Sequence, residues 1–258
     1  MTAPENSLHS QNDYTIAPGS VVLVGCGPGA FDLLTLRALR AIESADVLVY
    51  DNLVSTEIIA SAKPSAERIY VGKKASKHTM PQEEINTLLV DLARRGLRVA
   101  RLKGGDPFIF GRGGEEMDEL HAAGIPCTVI PGITAAAGCA AAAGIPLTHR
   151  DHAQTLILAT GHQKQPGLTL DWPQLAHGNQ TLVFYMGISN APEIAHQLEQ
   201  HGLPASTPVA LIERGTTPRQ RVSCTSLAQL VDHIAQEAIH PPALLIVGSV
   251  AGHYAQGE

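Results

Sequence analysis

Short apolar runs recur along the chain, most ending on or near glycine or an acid and followed by a stripe of helically spaced apolar residues. Val21-Val22-Leu23-Val24 ends on Gly25-Cys26-Gly27-Pro28-Gly29-Ala30, and Leu33, Leu34, Leu36, Leu39 and Ile42 follow at helical spacing. Val47-Leu48-Val49-Tyr50 closes on Asp51, and Ile69-Tyr70-Val71 runs into Gly72-Lys73-Lys74. Ile85, Leu88, Leu89 and Leu92 stand at i, i+3, i+4 and i+7, which predicts a helix that Gly96 stops. Leu97, Val99, Ala100 and Leu102 predict a strand leading into Gly104. A further helix is expected from Glu116 to Ala123, ended by Gly124, and a strand over Cys127 to Ile130 before Pro131-Gly132-Ile133-Thr134.

Ala135 to Ala143 is almost all alanine and small residues, which favours a closely packed helix at the junction of two halves. Gly144-Ile145-Pro146-Leu147 reads as a linker. Beyond it the expected order is strand (155–160), strand (181–186), helix (191–200), strand (208–212), helix (227–238) and strand (243–247). Strands alternating with helices predict parallel sheets. The fold class expected is therefore α/β, with two lobes of mostly parallel sheet over residues 18–133 and 134–258 and a cleft between them. Residues 1–17 are polar and mixed, and are expected to form a flexible tail.

With 258 residues and 44% hydrophobic residues, the chain can bury a full core. The net charge is −6, without a basic run and with few aromatics, which argues against a nucleic-acid surface. Cys26, Cys127, Cys139 and Cys224 lie far apart with no C-x-x-C, so neither a disulfide framework nor a thiolate metal site is expected. No signal segment or membrane-length apolar run is found, and the expected compartment is the cytoplasm. His149/His152 and His196/His201 do not have zinc-site spacing, so no metal is expected. A G-x-S-x-G elbow and a phosphate-binding G-x-x-x-x-G-K-[ST] loop are both missing.

Candidate chemistry gathers in the loops that follow the apolar runs. In a parallel sheet such loops share one edge, the edge where open α/β sheets bind ligands. They are Gly25–Gly29, Asp51, Lys73, Gly104–Ile109, Gly132–Ala135, Met186-Gly187 and Glu213-Arg214-Gly215-Thr216. Their glycines, acids, lysine and small hydroxyls suit a compact cofactor with an amino-acid part and an adenosine; loops of any α/β protein are also rich in such residues. Gly25, Gly27 and Ala30 fit a dinucleotide fingerprint, with Asp51 placed for a ribose, although Pro28 removes a donor that pyrophosphate would use.

The run Arg101-Leu102-Lys103-Gly104-Gly105-Asp106-Pro107-Phe108-Ile109-Phe110-Gly111-Arg112-Gly113-Gly114 is the most distinctive. Two glycines let the backbone approach a ligand, Asp106 sets a carboxylate at a strand end, and three large apolar residues stand in a loop. This run closely resembles the signature loop of the tetrapyrrole methyltransferases, and of uroporphyrinogen-III C-methyltransferases in particular. The resemblance extends from about Val21 to about Gly248 and includes Val24–Gly29, Val71–Lys74, Val129–Ala135, Ala143–Asp151, Ala159–His162 and Tyr185–Gly187. Ser76 and Ala142 depart from it, at positions where the family commonly has glycine and tyrosine.

The resemblance implies a homodimer with two α/β lobes that binds S-adenosylmethionine, releases S-adenosylhomocysteine, and methylates two carbons of a tetrapyrrole, uroporphyrinogen III, to give precorrin-2 for siroheme or cobalamin synthesis. It implies cofactor contacts at Pro28, Gly104, Gly105, Asp106, Ile109, Thr134, Ala135, Met186 and Gly215, and proton-transfer groups at Asp51 and Lys73. The fused dehydrogenase and chelatase module of bifunctional siroheme synthases is expected to be absent, since about twenty residues precede the first strand. A substrate with eight carboxylates needs local cations, and Arg37, Lys73, Lys74, Arg112 and Arg150 are the candidates, each also readable as a surface ion pair or solvated charge.

Overall fold

A computed structural model describes residues 14–72, 80–161 and 169–254. The chain divides into two compact units, residues 1–133 and 134–258. The first is built from β1 (Ser20–Gly25), α1 (Leu36–Ser44), β2 (Val47–Tyr50), α2 (Thr56–Ala60), β3 (Glu67–Tyr70), α3 (Gln82–Arg94), β4 (Arg98–Lys103), α4 (Gly113–Ala122) and β5 (Cys127–Ile130). Its sheet has the order β3-β2-β4-β1-β5, and every pairing is parallel.

Alternate residues of these strands feed two cores. Val22, Val24, Leu48, Ala100 and Leu102 pack with Ala38, Ala41 and Ile42 of α1 and Ile58 of α2. Val21, Leu23, Val47, Val49 and Val99 pack with Ile85, Leu89 and Leu92 of α3 and Leu120 of α4. Helices thus cover both faces, as a parallel sheet of apolar strands requires. The chain leaves β1 toward one face and leaves neighbouring β4 toward the other. That divergence opens a crevice at the strands' carboxyl ends.

The second unit comprises α5 (Ala135–Ala142), β6 (Thr155–Thr160), α6 (Trp172–Leu175), β7 (Gln180–Tyr185), α7 (Ala191–Gln200), β8 (Pro208–Glu213), β9 (Arg221–Ser226), α8 (Leu230–Gln236), β10 (Ala243–Val247) and α9 (Ser249–Tyr254). Its order is β6-β7-β10-β8-β9. Here the expectation of a mostly parallel sheet is corrected. Only β6 and β7 pair in parallel, while β10–β7, β10–β8 and β8–β9 are antiparallel. The cause is β9, which the sequence reading passed over. Arg221-Val222-Ser223-Cys224-Thr225-Ser226 is a polar edge strand, and it returns directly beside β8. The buried Glu213 carboxylate anchors that hairpin by accepting from Arg221 at 3.1 Å. Strands β7 and β8 both run opposite to β10, so they remain co-directional and their carboxyl ends share an edge.

Two helix boundaries also differ from expectation. The stripe beginning at Leu33 starts as a 3-10 turn over Phe31–Leu33, and α1 begins only at Leu36, with Thr35 accepting the Ala38 N–H as N-cap. The helix expected over 227–238 is a 3-10 turn at Leu227–Gln229 followed by α8. No helix among the described residues is long and apolar enough to cross a membrane.

Candidate functional site

In the first unit the carboxyl-end loops touch backbone to backbone, and glycine makes this possible. Gly27 and Gly105 form an isolated antiparallel bridge, Gly27 N–H donating to the Gly105 carbonyl at 3.1 Å and Gly105 N–H donating in return. A Cβ at Gly132 would stand 2.2 Å from the Gly105 oxygen and 2.8 Å from the Gly25 Cα. A Cβ at Gly104 would stand 2.7 Å from the Leu53 Cβ. The loops after β1, β2, β4 and β5 therefore form one continuous floor.

Asp106 ties this floor together. Its Oδ2 accepts the Gly132 N–H at 3.0 Å and its Oδ1 accepts the Phe108 N–H at 2.9 Å. Beside it Phe108, Ile109 and Phe110 are exposed, Phe108 at 51%. Pro28 is half-buried at the rim. The floor weighs against the dinucleotide reading: the Cys26 and Gly27 N–H groups are already donated to Lys103 and Gly105, and no helix opens directly from the glycines.

Asp51 stands at the end of β2. Its Oδ1 accepts the Leu53 N–H at 3.0 Å, and its Oδ2 lies 3.6 Å from Arg101 Nη2. Its side chain keeps 25% exposure, so it is held from below and open from above. Lys73, Lys74 and Ser76 lie outside the described residues.

Sequence reasoning missed what lies beneath Asp51. Arg101 and Lys103 point from β4 into the face covered by α3 and α4, and both are buried. Glu116 of α4, fully buried, accepts from Arg101 Nε at 3.1 Å and Lys103 Nζ at 3.0 Å. Burial alone would raise the Glu116 carboxyl, but the Arg101 and Lys103 charges hold it below the usual range. Burial, with the Arg101 charge next to it, lowers the Lys103 ammonium. The signal was in the sequence: two cations two residues apart within a strand covered on both faces must share a buried counter-charge.

The described arginines among the expected substrate contacts lie on separate elements of the chain. Arg37 on α1 and Arg150 in the turn before Ala153 are exposed. Arg112 holds Glu115 with both arms of its guanidinium, at 2.9 and 2.6 Å, next to the start of α4.

In the second unit, Thr134 and Ala135 open α5, Met186 follows the β7 residue that binds this helix start, and Gly215 packs against the middle of the helix. The Tyr185 hydroxyl, at the end of β7, hydrogen-bonds the Thr134 hydroxyl and accepts the Ala136 N–H at 2.9 Å. Met186 follows directly and is 50% exposed. Gly215 lies against α5, where a Cβ would stand 2.3 Å from Cys139 Sγ. Tyr185 was not anticipated as the group that sets the start of this helix.

Backbone strain concentrates at these edges. Among the described residues Phe110, Arg112, Met186, Arg214 and Thr216 have positive φ, the only other non-glycine case being Ala238. Such conformations cluster where structure is held for function. No group of three or more His, Cys, Asp or Glu among the described residues could hold a metal ion.

The family described as Tetrapyrrole (Corrin/Porphyrin) Methylases matches residues 20–231. A siroheme synthase from Pseudoalteromonas atlantica is 55% identical over 93% of this chain and 52% of its own length. One from Azotobacter vinelandii is 58% identical over 91% of this chain and 50% of its own. The chain thus spans about half the length of the curated relatives it matches. Among solved structures, the uroporphyrin-III C-methyl transferase of Thermus thermophilus complexed with S-adenosylhomocysteine has a TM-score of 0.77 and 40% identity, over 90% of this chain and 98% of that one. A cobalt precorrin-4 methyltransferase of cobalamin biosynthesis has a TM-score of 0.80 and 29% identity, over 90% and 96%.

Proposed function

Since the chain belongs to the tetrapyrrole methylase family, we propose that it transfers methyl groups from S-adenosylmethionine to two carbons of uroporphyrinogen III, giving precorrin-2. The observation that carries this reading is the floor of the first unit. There a carboxylate held from below, a backbone cradle without side chains and an exposed apolar loop stand at one sheet edge.

The residues fit such a cofactor in kind. Gly104 and Gly105 bring backbone into the floor without side chains, Pro28 lies half-buried beside the Gly27 bridge, Asp106 retains acceptor capacity for an amine or hydroxyl, and Ile109 offers apolar cover. Thr134, Ala135, Met186 and Gly215 of the second unit are the further contacts proposed. S-adenosylmethionine supplies an electrophilic methyl group on a sulfonium sulfur. A pyrrole carbon is already nucleophilic, so the chain's residues need to align it rather than activate it, and alignment of this kind is worth several kcal/mol.

The new carbon–carbon bond leaves a positive charge on the macrocycle, which is relieved by loss of a proton. Asp51, held open to solvent, is the proposed base, and Lys73 the proposed second proton-transfer group. Arg37, Lys74, Arg112 and Arg150 are the cations proposed to receive substrate carboxylates; Arg112 would exchange Glu115 for one of them. A cytoplasmic homodimer completes the reading.

The test is transfer of labelled methyl from S-adenosylmethionine to uroporphyrinogen III and, in parallel, to a later corrinoid intermediate. Preference for uroporphyrinogen III is expected. Label entering only the corrinoid would move the chain to a later step.

A further inference from the structure

The buried charges under Asp51 are costly to maintain. Val99, Arg101 and Lys103 alternate on one face of β4, and Glu116 meets both cations with a single oxygen. That oxygen also accepts from Gln82 Nε2 at 3.1 Å, and Gln82 in turn donates to Asn86. The other oxygen, Oε2, has no hydrogen-bond partner among the described residues. Apolar residues of similar volume at such a place are often at least as stable as a buried ion cluster. A buried acceptor left unpaired is a further cost. Stability alone does not account for this cluster.

Its geometry leads upward to the site. Arg101 uses its whole fork: Nε on Glu116, Nη1 on the Leu102 carbonyl at 2.9 Å and the Val49 carbonyl at 3.4 Å, and Nη2 toward Asp51. A planar guanidinium fixed at three points presents its fourth in one direction. With the Leu53 N–H on the other oxygen, the Asp51 carboxylate is held from two sides.

We infer that Glu116 is a positioning residue for the reaction: it fixes the Arg101 fork, and through it the orientation in which Asp51 accepts the substrate proton. Lys103 balances the cluster, two cations against Asp51 and Glu116. The inference rests on the reading of Asp51 as the base.

The test is a double-mutant cycle on the full chain, comparing Glu116→Gln, Arg101→Lys and Asp51→Asn singly and in pairs, with kcat and the KM for S-adenosylmethionine as readouts. Glu116→Gln keeps the shape and removes the charge. Arg101→Lys keeps the charge and loses the fork, and it carries the test if Glu116→Gln does not fold. Each is expected to lower kcat about tenfold and to leave KM within about twofold, yet to cost under about twofold in the Asp51→Asn background. Equal slowing in both backgrounds, or loss expressed in KM alone, would overturn the inference while leaving Asp51 as the base. A normal rate in Asp51→Asn alone would instead remove the base reading and this inference with it.

Discussion

Asp106 and Gly132 join two loops of the first sheet, with the Asp106 Oδ2 accepting the Gly132 N–H at 3.0 Å. Asp106 is thereby a structural clasp as well as a proposed cofactor contact. Asp106→Ala frees both Gly132 and Phe108 N–H groups and loosens the floor. S-adenosylmethionine affinity is expected to fall by about tenfold to a hundredfold, the loss of one or two hydrogen bonds to a charged group. Calorimetric titration checks this, and unchanged affinity would separate the clasp from cofactor binding.

The glycine floor makes a stability prediction. Gly132→Ala drives a Cβ into the Gly105 carbonyl, backbone that has no room to move, and should cost about 3 kcal/mol or more in urea unfolding. Gly114→Ala meets nothing within 4 Å, lies in α4 and has no positive φ. It should be neutral or stabilise by about 0.5 kcal/mol.

Much of this floor was legible in the sequence, because each loop follows an apolar run that could only be a buried strand. Glycine after Val24, Lys103 and Pro131 marked the close approaches. The edge strand β9 was not legible, since Val222 and Cys224 alone among polar residues give no apolar run. The Arg101–Glu116 pairing was hidden for a different reason. Glu116 lies in the first turn of a helix, where an acid is ordinarily a solvated partner of the helix dipole. Tyr185 was likewise unreadable as a clasp on α5, because that contact depends on where the chain returns 51 residues later.

The cysteines should be quiet. Burial pushes Cys26 up to about 12 and Cys127 and Cys139 up to about 11, and raises Cys224 as well. Thiolates are the reactive form. At pH 8 the native protein is expected to react with a disulfide reagent far more slowly than the urea-unfolded chain, which should release all four thiols. Rapid native reaction of Cys26 would contradict its burial.

Acid should weaken the fold in a defined direction. Glu116 is held below its ordinary value by Arg101 and Lys103 against the opposing effect of burial, and Asp46 is lowered chiefly by its hydrogen bond from Lys63. A carboxyl depressed in the folded state contributes stability above its unfolded value, about 4.3 for Glu, and loses it as pH falls through the folded value. The urea midpoint is expected to fall as pH drops from about 5 to about 3. Glu116→Gln should flatten that limb. Asp46 and Lys63 lie near the surface, and Asp46→Asn should change it little.

The mass of the product tests the proposed reaction without an intermediary. The purified protein is incubated with enzymatically generated uroporphyrinogen III and S-adenosylmethionine, and the tetrapyrrole is analysed by mass spectrometry. A gain of two methyl groups is expected. An unmethylated tetrapyrrole from a protein that still binds S-adenosylmethionine would contradict it, leaving the family and fold in place and the substrate to be sought elsewhere.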